Sequence, residues 1–472
     1  MIEKAKLIAD RILSNEKVHI VSHIDADGIA SASIAYRALE RAEKDVSVEF
    51  VKQLDGNEIK KIKGQEHPLV WFTDLGSGQM SSLKGMNCVI TDHHEPENDS
   101  EPTEIKDRGN ILSYCASIME LNPHNFGLDG AKEISGSGTT YLVAKQMDKE
   151  NKDLSKLAVI GAVGDLQASE EGRLVGMNRD ILDDGVEEGV IEIKKDTTLY
   201  GLESRPLHKV LEYASDPILP GLTGDESSCV NFLVENDITL KEDNDWRRWH
   251  DLTKDEKRKI LSELARKILS KGFPPENVTC MIGKIYILPG EEPGTMLHQA
   301  KEFSTLLNSC GRYEKGMIGL KVCLDDRDEY LKKAEKLLKG HQKILVDCLN
   351  YVESIGVEER DFIQFFHGED RIPDTVVGTV AGMVLSSGDV DKKLPILAFA
   401  DSEERGGVKV SSRGTKRLVD NGLDLSSAMS ECAEKVGGEG GGHDIAAGAL
   451  IPEGKEEEFI DIVEQKIGSQ LK

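Results

Sequence analysis

No stretch of this chain approaches the roughly 18 consecutive apolar residues that a membrane-spanning helix needs, so no membrane partner is expected from its 472 residues. CxxC pairs are also missing: the eight cysteines, at 88, 115, 229, 280, 310, 323, 348 and 432, are scattered along the chain. Without metal-ligand spacing they read as small buried apolar side chains in a reducing compartment, which argues against structural zinc and against disulfides. The opening MIEKAKLIADRIL lacks the pattern of a signal peptide and describes an acid-bearing amphipathic helix, so a cytoplasmic protein is expected. Nor is there a surplus of positive charge. The formal charge of −26 runs against the basic footprint usual in nucleic-acid binders, and leaves such binding to a local basic groove and to divalent cations. The length gives about two or three domains with ample core.

What is present is organised around Val18 to Ser31, VHIVSHIDADGIAS. An apolar strand runs out into His23, Asp25 and Asp27, then turns through Gly28 into a helix of small residues. The three polar residues share one face while the strand stays extended; the competing reading is an acidic turn that caps the helix. Pro68 to Thr73 is a second strand, delivering Asp74, and Asn87 to Thr91 is a third, ending in Asp92, His93 and His94. Helical patterns at 28–42 and 56–63 separate these strands, giving the β-α-β rhythm of a parallel sheet. SGSGTTY (135–141) reads as a glycine-rich helix entry, and Leu157 to Gly164 as an apolar helix ending at Asp165. Ligands gather outside the carboxyl ends of strands in such sheets. Oxygen donors with a few imidazoles and no thiolate suit Mn²⁺ first and Mg²⁺ second.

HIDADG, the Asp of WFTDLG, TDHHEP and the Asp of GAVGDL, in that order, resemble the four motifs of the DHH phosphoesterase superfamily, and within it the archaeal RecJ-type nucleases. The resemblance implies a metal-dependent exonuclease on single strands, 5′ to 3′ on DNA and extending to RNA, that releases mononucleotides in replication or repair. It assigns one ion to His23, Asp25 and Asp74 and the other to Asp27, Asp74, His93 and Asp165, with Asp74 bridging. It sets His94 against the scissile phosphate, with Asp92 orienting a neighbouring ligand. It also implies a GINS complex as protein partner.

The middle of the chain is less legible. Trp246, Arg247, Arg248 and Trp249 read equally as a stacking surface for a strand and as helix packing. Leu307 to Arg312 resembles the asparagine-to-arginine segment of RecJ proteins, which makes Arg312 a candidate 5′-phosphate clamp. After a charged helix at 326–350, strands and helices alternate to a glycine-rich end, 436–452, that resembles the DHHA1 signature. Gly441, Gly442 and His443 in that loop, with Ser411, Ser412 and Arg413 nearby, are candidate substrate contacts. The expected fold is α/β: a parallel-sheet DHH domain (1–205), a helical connector (206–325) and a smaller α/β DHHA1 domain (326–472), the two α/β domains facing across a cleft. Two alternatives share these motifs: an oligonucleotide or small cyclic-dinucleotide phosphodiesterase, and a replisome scaffold that binds GINS.

Overall fold

A computed structural model describes residues 1–471 except 98–117, 169, 215–216, 218, 274, 387–389 and 403–405; Cys115 lies outside the described residues. The chain divides into two compact units, Met1–Leu338 and Lys339–Lys472.

The first unit is built on five parallel strands, β1 (Lys17–His23), β2 (Asp45–Val51), β3 (Val70–Thr73), β4 (Cys88–Thr91) and β5 (Met119–Leu121), in the order β2-β1-β3-β4-β5. Helices α1 (Ile2–Leu13), α2 (Ala26–Arg41), α3 (Gly56–Gly64), α4 (Gly136–Met147) and α5 (Ser155–Gly164) join and cover them. Alternation along the strands sorts the core onto two faces. Ile20, Trp71 and Val89 enter a cluster with α1, α2, α4 and α5. Val21, Phe72 and Ile90 enter a second with Ile59 and Ile62 of α3. Each fully buried large side chain contributes about 1.5–3 kcal/mol, and a sheet covered on both faces explains why its strands are short unbroken apolar runs.

The strand order has a functional corollary. The chain leaves β1 toward β2 on one side and then crosses to β3 on the other, so the carboxyl ends of β1 and β3 flank the point where the winding reverses, which is where open α/β sheets bind ligands.

After α6 (Gly176–Glu187), strand β6 (Glu192–Thr197) pairs antiparallel with β7 (Ile282–Ile287). The pair brackets an excursion with a core of its own, including Leu202, Leu211, Phe232, Trp249 and Ile260, whose longest helix is α7 (Lys254–Ser270). Here the WRRW run resolves into packing. Trp249 is buried and donates to Asp196 at 2.8 Å, and Arg247 holds the Glu256 carboxylate through both terminal nitrogens at 2.8 and 3.0 Å. Trp246 is exposed. The chain then returns through α8 (Ala300–Arg312), and the charged helix expected at 326–350 is observed at Glu329–Ile355.

The second unit carries a six-stranded mixed sheet: β8 (Glu358–Glu359), β9 (Gln364–His367), β10 (Ile396–Ser402), β11 (Gly407–Arg413), β12 (Glu439–Gly442) and β13 (Ala446–Ile451), in the order β8-β9-β10-β11-β13-β12. The glycine-rich end is thus no open loop. Gly441 and Gly442 pair with Gly448 and Ala447 in a β-hairpin, with His443 at its turn. Among the described residues no helix is long and apolar enough to cross a membrane, and the seven described cysteines are free, all but Cys280 buried.

Candidate metal centre

β1 stops at His23, and the chain turns at once into α2. Asp25 is the N-cap, its carboxylate accepting from the Gly28 amide at 2.9 Å, while Asp27 lies in the first helical turn. A Cβ at Gly28 would overlap the His23 carbonyl, so the tight turn requires glycine there. The three residues therefore do not alternate along one extended strand as the sequence suggested: a strand end, a cap and a helix supply one each. The capping interpretation of Asp25 and its place in the site hold together.

Asp74 follows β3 with φ +59°, a left-handed conformation that costs a non-glycine residue about 1–2 kcal/mol. Its amide donates to the Thr91 carbonyl at 2.8 Å, which helps hold the turn. Its carboxylate is only 1% exposed, yet neither oxygen has a well-formed hydrogen bond. Instead Oδ2 lies 3.6 Å from His23 Nδ1 and Oδ1 lies 3.3 Å from His93 Nε2. His23 Nδ1 is also 3.0 Å from Asp25 Oδ2, and His93 Nε2 is 3.8 Å from both Asp27 Oδ2 and Asp165 Oδ2. Three groups of potential ligand atoms result, His23–Asp25–Asp74, Asp74–His93–His94 and Asp27–His93–Asp165; Asp74 belongs to the first two, and His93 links the second to the third.

A buried carboxylate without donors is costly unless a cation balances it. In the metal-free protein protons serve that purpose. Burial opposes charge on His23, but Asp25 and then Asp74 outweigh it and lift the imidazole to about 11. His93 is buried too, and is raised by Asp74, Asp27 and Asp165. Burial, with Asp74 and Asp165 nearby, raises Asp27; burial lifts Asp165 to about 6 against the pull of His93. Four carboxylates and two imidazoles, with no thiolate among them, have the donor chemistry of a Mn²⁺ or Mg²⁺ site.

The Asp27 carboxylate is held from across the fold. Oδ2 accepts from the Gly136 amide at 2.7 Å, and Oδ1 from the Ser137 amide at 3.1 Å and from the Ser137 hydroxyl. These donors are the free end of α4, where unpaired amides favour an anion. A Cβ at Gly136 would overlap the Asp74 carboxylate, and one at Gly161 would overlap Asp27 and Ser137. SGSG therefore clamps Asp27 and leaves room for Asp74, a role that its glycines alone did not signal.

Asp92 stands apart from the ion groups. It is fully buried, and Oδ1 accepts from the His93 amide at 2.7 Å and from His94 Nδ1 at 2.8 Å, while Oδ2 accepts from the Ser77 amide at 2.9 Å. Burial pushes Asp92 up, but the His94 bond and charge carry it below its ordinary value. The same bond, its largest influence, raises His94. With Nδ1 engaged by Asp92, the more exposed His94 ring keeps Nε2 for another partner.

α8 buttresses the β1–α2 turn: Asn308 Oδ1 accepts from the Ala26 amide at 2.9 Å, and a Cβ at Gly311 would overlap the Ile24 carbonyl. Arg312 is therefore the next residue after one packed on that turn, and it is exposed. The remaining expected contacts belong to the second unit. Ser411 and Ser412 are buried in β11, and Ser412 gives its hydroxyl to the Ala447 carbonyl at 3.0 Å; this bond commits it to its own sheet. Arg413 is half-buried and donates to the Ser412 carbonyl at 2.8 Å. His443 is exposed, though its amide is taken by the Ala446 carbonyl at 2.9 Å.

Comparison with known proteins is consistent across the chain. Residues 17–164 match the DHH family, N-terminal domain; 199–282 match the DHH-CID domain; 361–469 match the DHHA1 domain. An uncharacterized protein of Methanocaldococcus jannaschii is 31% identical over 479 residues, covering 100% of this chain and 98% of that one. Among solved structures, RecJ in complex with Mn²⁺ from Thermus thermophilus shares the fold at 15% identity with a TM-score of 0.59, covering 99% of this chain and 55% of that one. This chain thus spans about half the length of that RecJ. CDC45 from Entamoeba histolytica shares the fold at 14% identity with a TM-score of 0.65, covering 99% and 98%. The chain belongs to the DHH superfamily, as a RecJ-like protein that carries DHH, DHH-CID and DHHA1 domains in that order.

Proposed function

We propose that this protein is a divalent-metal-dependent phosphodiesterase that degrades single-stranded DNA or RNA from the 5′ end to mononucleotides, in replication or repair, with two Mn²⁺ ions as cofactor and Mg²⁺ as substitute. The observation that carries the proposal is Asp74: a buried carboxylate whose two oxygens face His23 at 3.6 Å and His93 at 3.3 Å and which belongs to two of three groups of potential hard ligands. His23, Asp25 and Asp74 would hold one ion, and Asp27, Asp74, His93 and Asp165 the other. When bound, the ions supply an activated water and neutralise charge building on the phosphoryl oxygens.

The chain's own groups do the rest. The α4 end and Ser137 hold the Asp27 carboxylate in place. Asp92 fixes the His94 ring through Nδ1, so that Nε2 can donate to a non-bridging phosphate oxygen. Arg312, beside the turn that carries Asp25, pairs with a terminal 5′-phosphate through two parallel hydrogen bonds. Arg413, with Gly441, Gly442 and His443, grips the strand backbone in the second domain. A GINS-type complex is the proposed protein partner.

The test is a Mn²⁺ titration of hydrolysis on single strands labelled at either end, across chain lengths. Mononucleotides released from the 5′ end of long strands are expected. Cleavage restricted to dinucleotides or cyclic dinucleotides would favour the small-substrate alternative. Absence of hydrolysis with any divalent ion would favour the scaffold reading, to which the fold likeness to CDC45 lends support.

A further inference from the structure

The turn that follows α5 carries Gln167, which neither the ligand set nor the phosphate contacts use. Its side chain is 1% exposed. Nε2 donates to Asp165 Oδ2 at 2.8 Å and to the Gly130 carbonyl at 2.9 Å, and Oε1 accepts from Asn178 Nδ2 at 2.6 Å. Two acceptors on one side and a donor on the other fix the orientation of the amide.

The Gly130 carbonyl is also the acceptor for His93 Nδ1, at 2.7 Å. That bond turns His93 Nε2 toward Asp74, Asp27 and Asp165. One buried amide is thus tied directly to Asp165 and, through a shared carbonyl, to His93. Asn178, in the first turn of α6, has its own Oδ1 3.4 Å from the amide of Ser135, the N-cap of the helix that clamps Asp27. Every member of the Asp27–His93–Asp165 group therefore connects to the Gln167–Asn178 pair within a few bonds.

The backbone points the same way. Leu166, between Asp165 and Gln167, has φ +58° and is 86% exposed. A branched apolar residue left in that conformation in solvent gains little from its own contacts. What holds the turn lies on either side of it: the Leu166 amide bonds the Val163 carbonyl at 3.2 Å, the Gln167 amide bonds the Ala162 carbonyl at 2.9 Å, and the Gln167 side chain is buried.

We propose that Gln167 is a positioning residue for the second ion: it orients Asp165 by occupying Oδ2 and, with Gly130, sets the His93 ring. The proposal rests on the metal-centre reading above. It is tested on the full-length protein with Gln167→Met, which keeps the volume and removes both donors, and Gln167→Glu, which keeps the shape and opposes Asp165 with a second acid. Mn²⁺ binding is followed by calorimetry and electron paramagnetic resonance, alongside melting of the metal-free protein and activity against Mn²⁺ concentration.

The expected result is a loss of about 10–100-fold in affinity at one of two Mn²⁺ sites, the other unchanged, with activity recovered at high Mn²⁺ and metal-free melting close to wild type. Wild-type affinity at both sites in either variant, or equal weakening of both sites in step with lost stability, would overturn it. Should the wild-type protein bind no Mn²⁺, the metal centre itself fails, an outcome distinct from an effect confined to Gln167.

Discussion

Ser137 lies 110 positions from Asp27 in the chain, yet its backbone amide, at 3.1 Å, and its hydroxyl both donate to the same Asp27 oxygen. Asp27 is fully buried, and burial with Asp74 nearby raises it, so these donors work against the cost of charge there. Ser137→Ala keeps both amide donors and removes the hydroxyl, so a destabilisation of about 1–3 kcal/mol is expected, measured by urea unfolding of the metal-free protein. An unchanged unfolding midpoint would mean that the amides alone satisfy Asp27.

Asp74 belongs both to the group with His23 and Asp25 and to the group with His93 and His94. Asp74→Ala should abolish hydrolysis while far-ultraviolet dichroism stays that of the wild type, because the variant removes a carboxylate between His23 and His93 and leaves the strands and helices around it intact. Near-wild-type turnover in Mn²⁺ would show that the two groups do not work through it.

The imidazoles give metal binding a pH dependence with a definite sign. His23, at about 11, and His93, also raised, are protonated in the metal-free protein at neutral pH. Their ordinary value is about 6.5, so the stability they lend the metal-free fold is fully present below that pH and is lost as pH rises through the folded values. An entering ion must displace those protons, and below about 6 it must also displace the proton on Asp165. Mn²⁺ affinity should therefore rise with pH and fall most steeply below pH 6. Calorimetry in buffers of different ionisation enthalpy should register protons released; flat affinity between about pH 5 and 8 would contradict the assignment.

Arg312 and Arg413 carry the expected selectivity for the strand end. Changing either to Ala should weaken binding of 5′-phosphorylated strands by about tenfold or more, and of 5′-hydroxyl strands by less, since a charge-assisted pair contributes about 1.5–3 kcal/mol. Equal losses on both substrates, read by fluorescence anisotropy at fixed salt, would assign the arginines to general backbone contact.

A protein contact away from the metal centre should survive damage to that centre. The Asp25→Ala, Asp27→Ala double variant is expected to co-elute with a GINS complex as the wild type does. Loss of the complex in this variant, with binding retained in a second-unit variant such as Arg413→Ala, would put the interface on the catalytic domain.

The sequence by itself determined the parallel sheet and the acids and histidines at its strand ends, because both are local signals: a short apolar run followed at once by His23, by Asp74, or by Asp92, His93 and His94 reads without knowledge of any partner. The helix ending at Asp165 was legible for the same reason. Tertiary structure decided what depends on distant neighbours. The face shared by His23, Asp25 and Asp27 was inferred from an extended strand, but a cap at Asp25 and a helix from Ala26 replace alternation with a turn that the fold of α8 supports. The clamp of SGSG on Asp27 and the bonds of Gln167 to Asp165, Gly130 and Asn178 left no periodic mark, since hydrogen bonds between separate elements impose no spacing on a chain. In the second unit the glycine run paired into a hairpin and Ser412 turned into its own sheet, because backbone groups in a ladder satisfy one another before any ligand arrives.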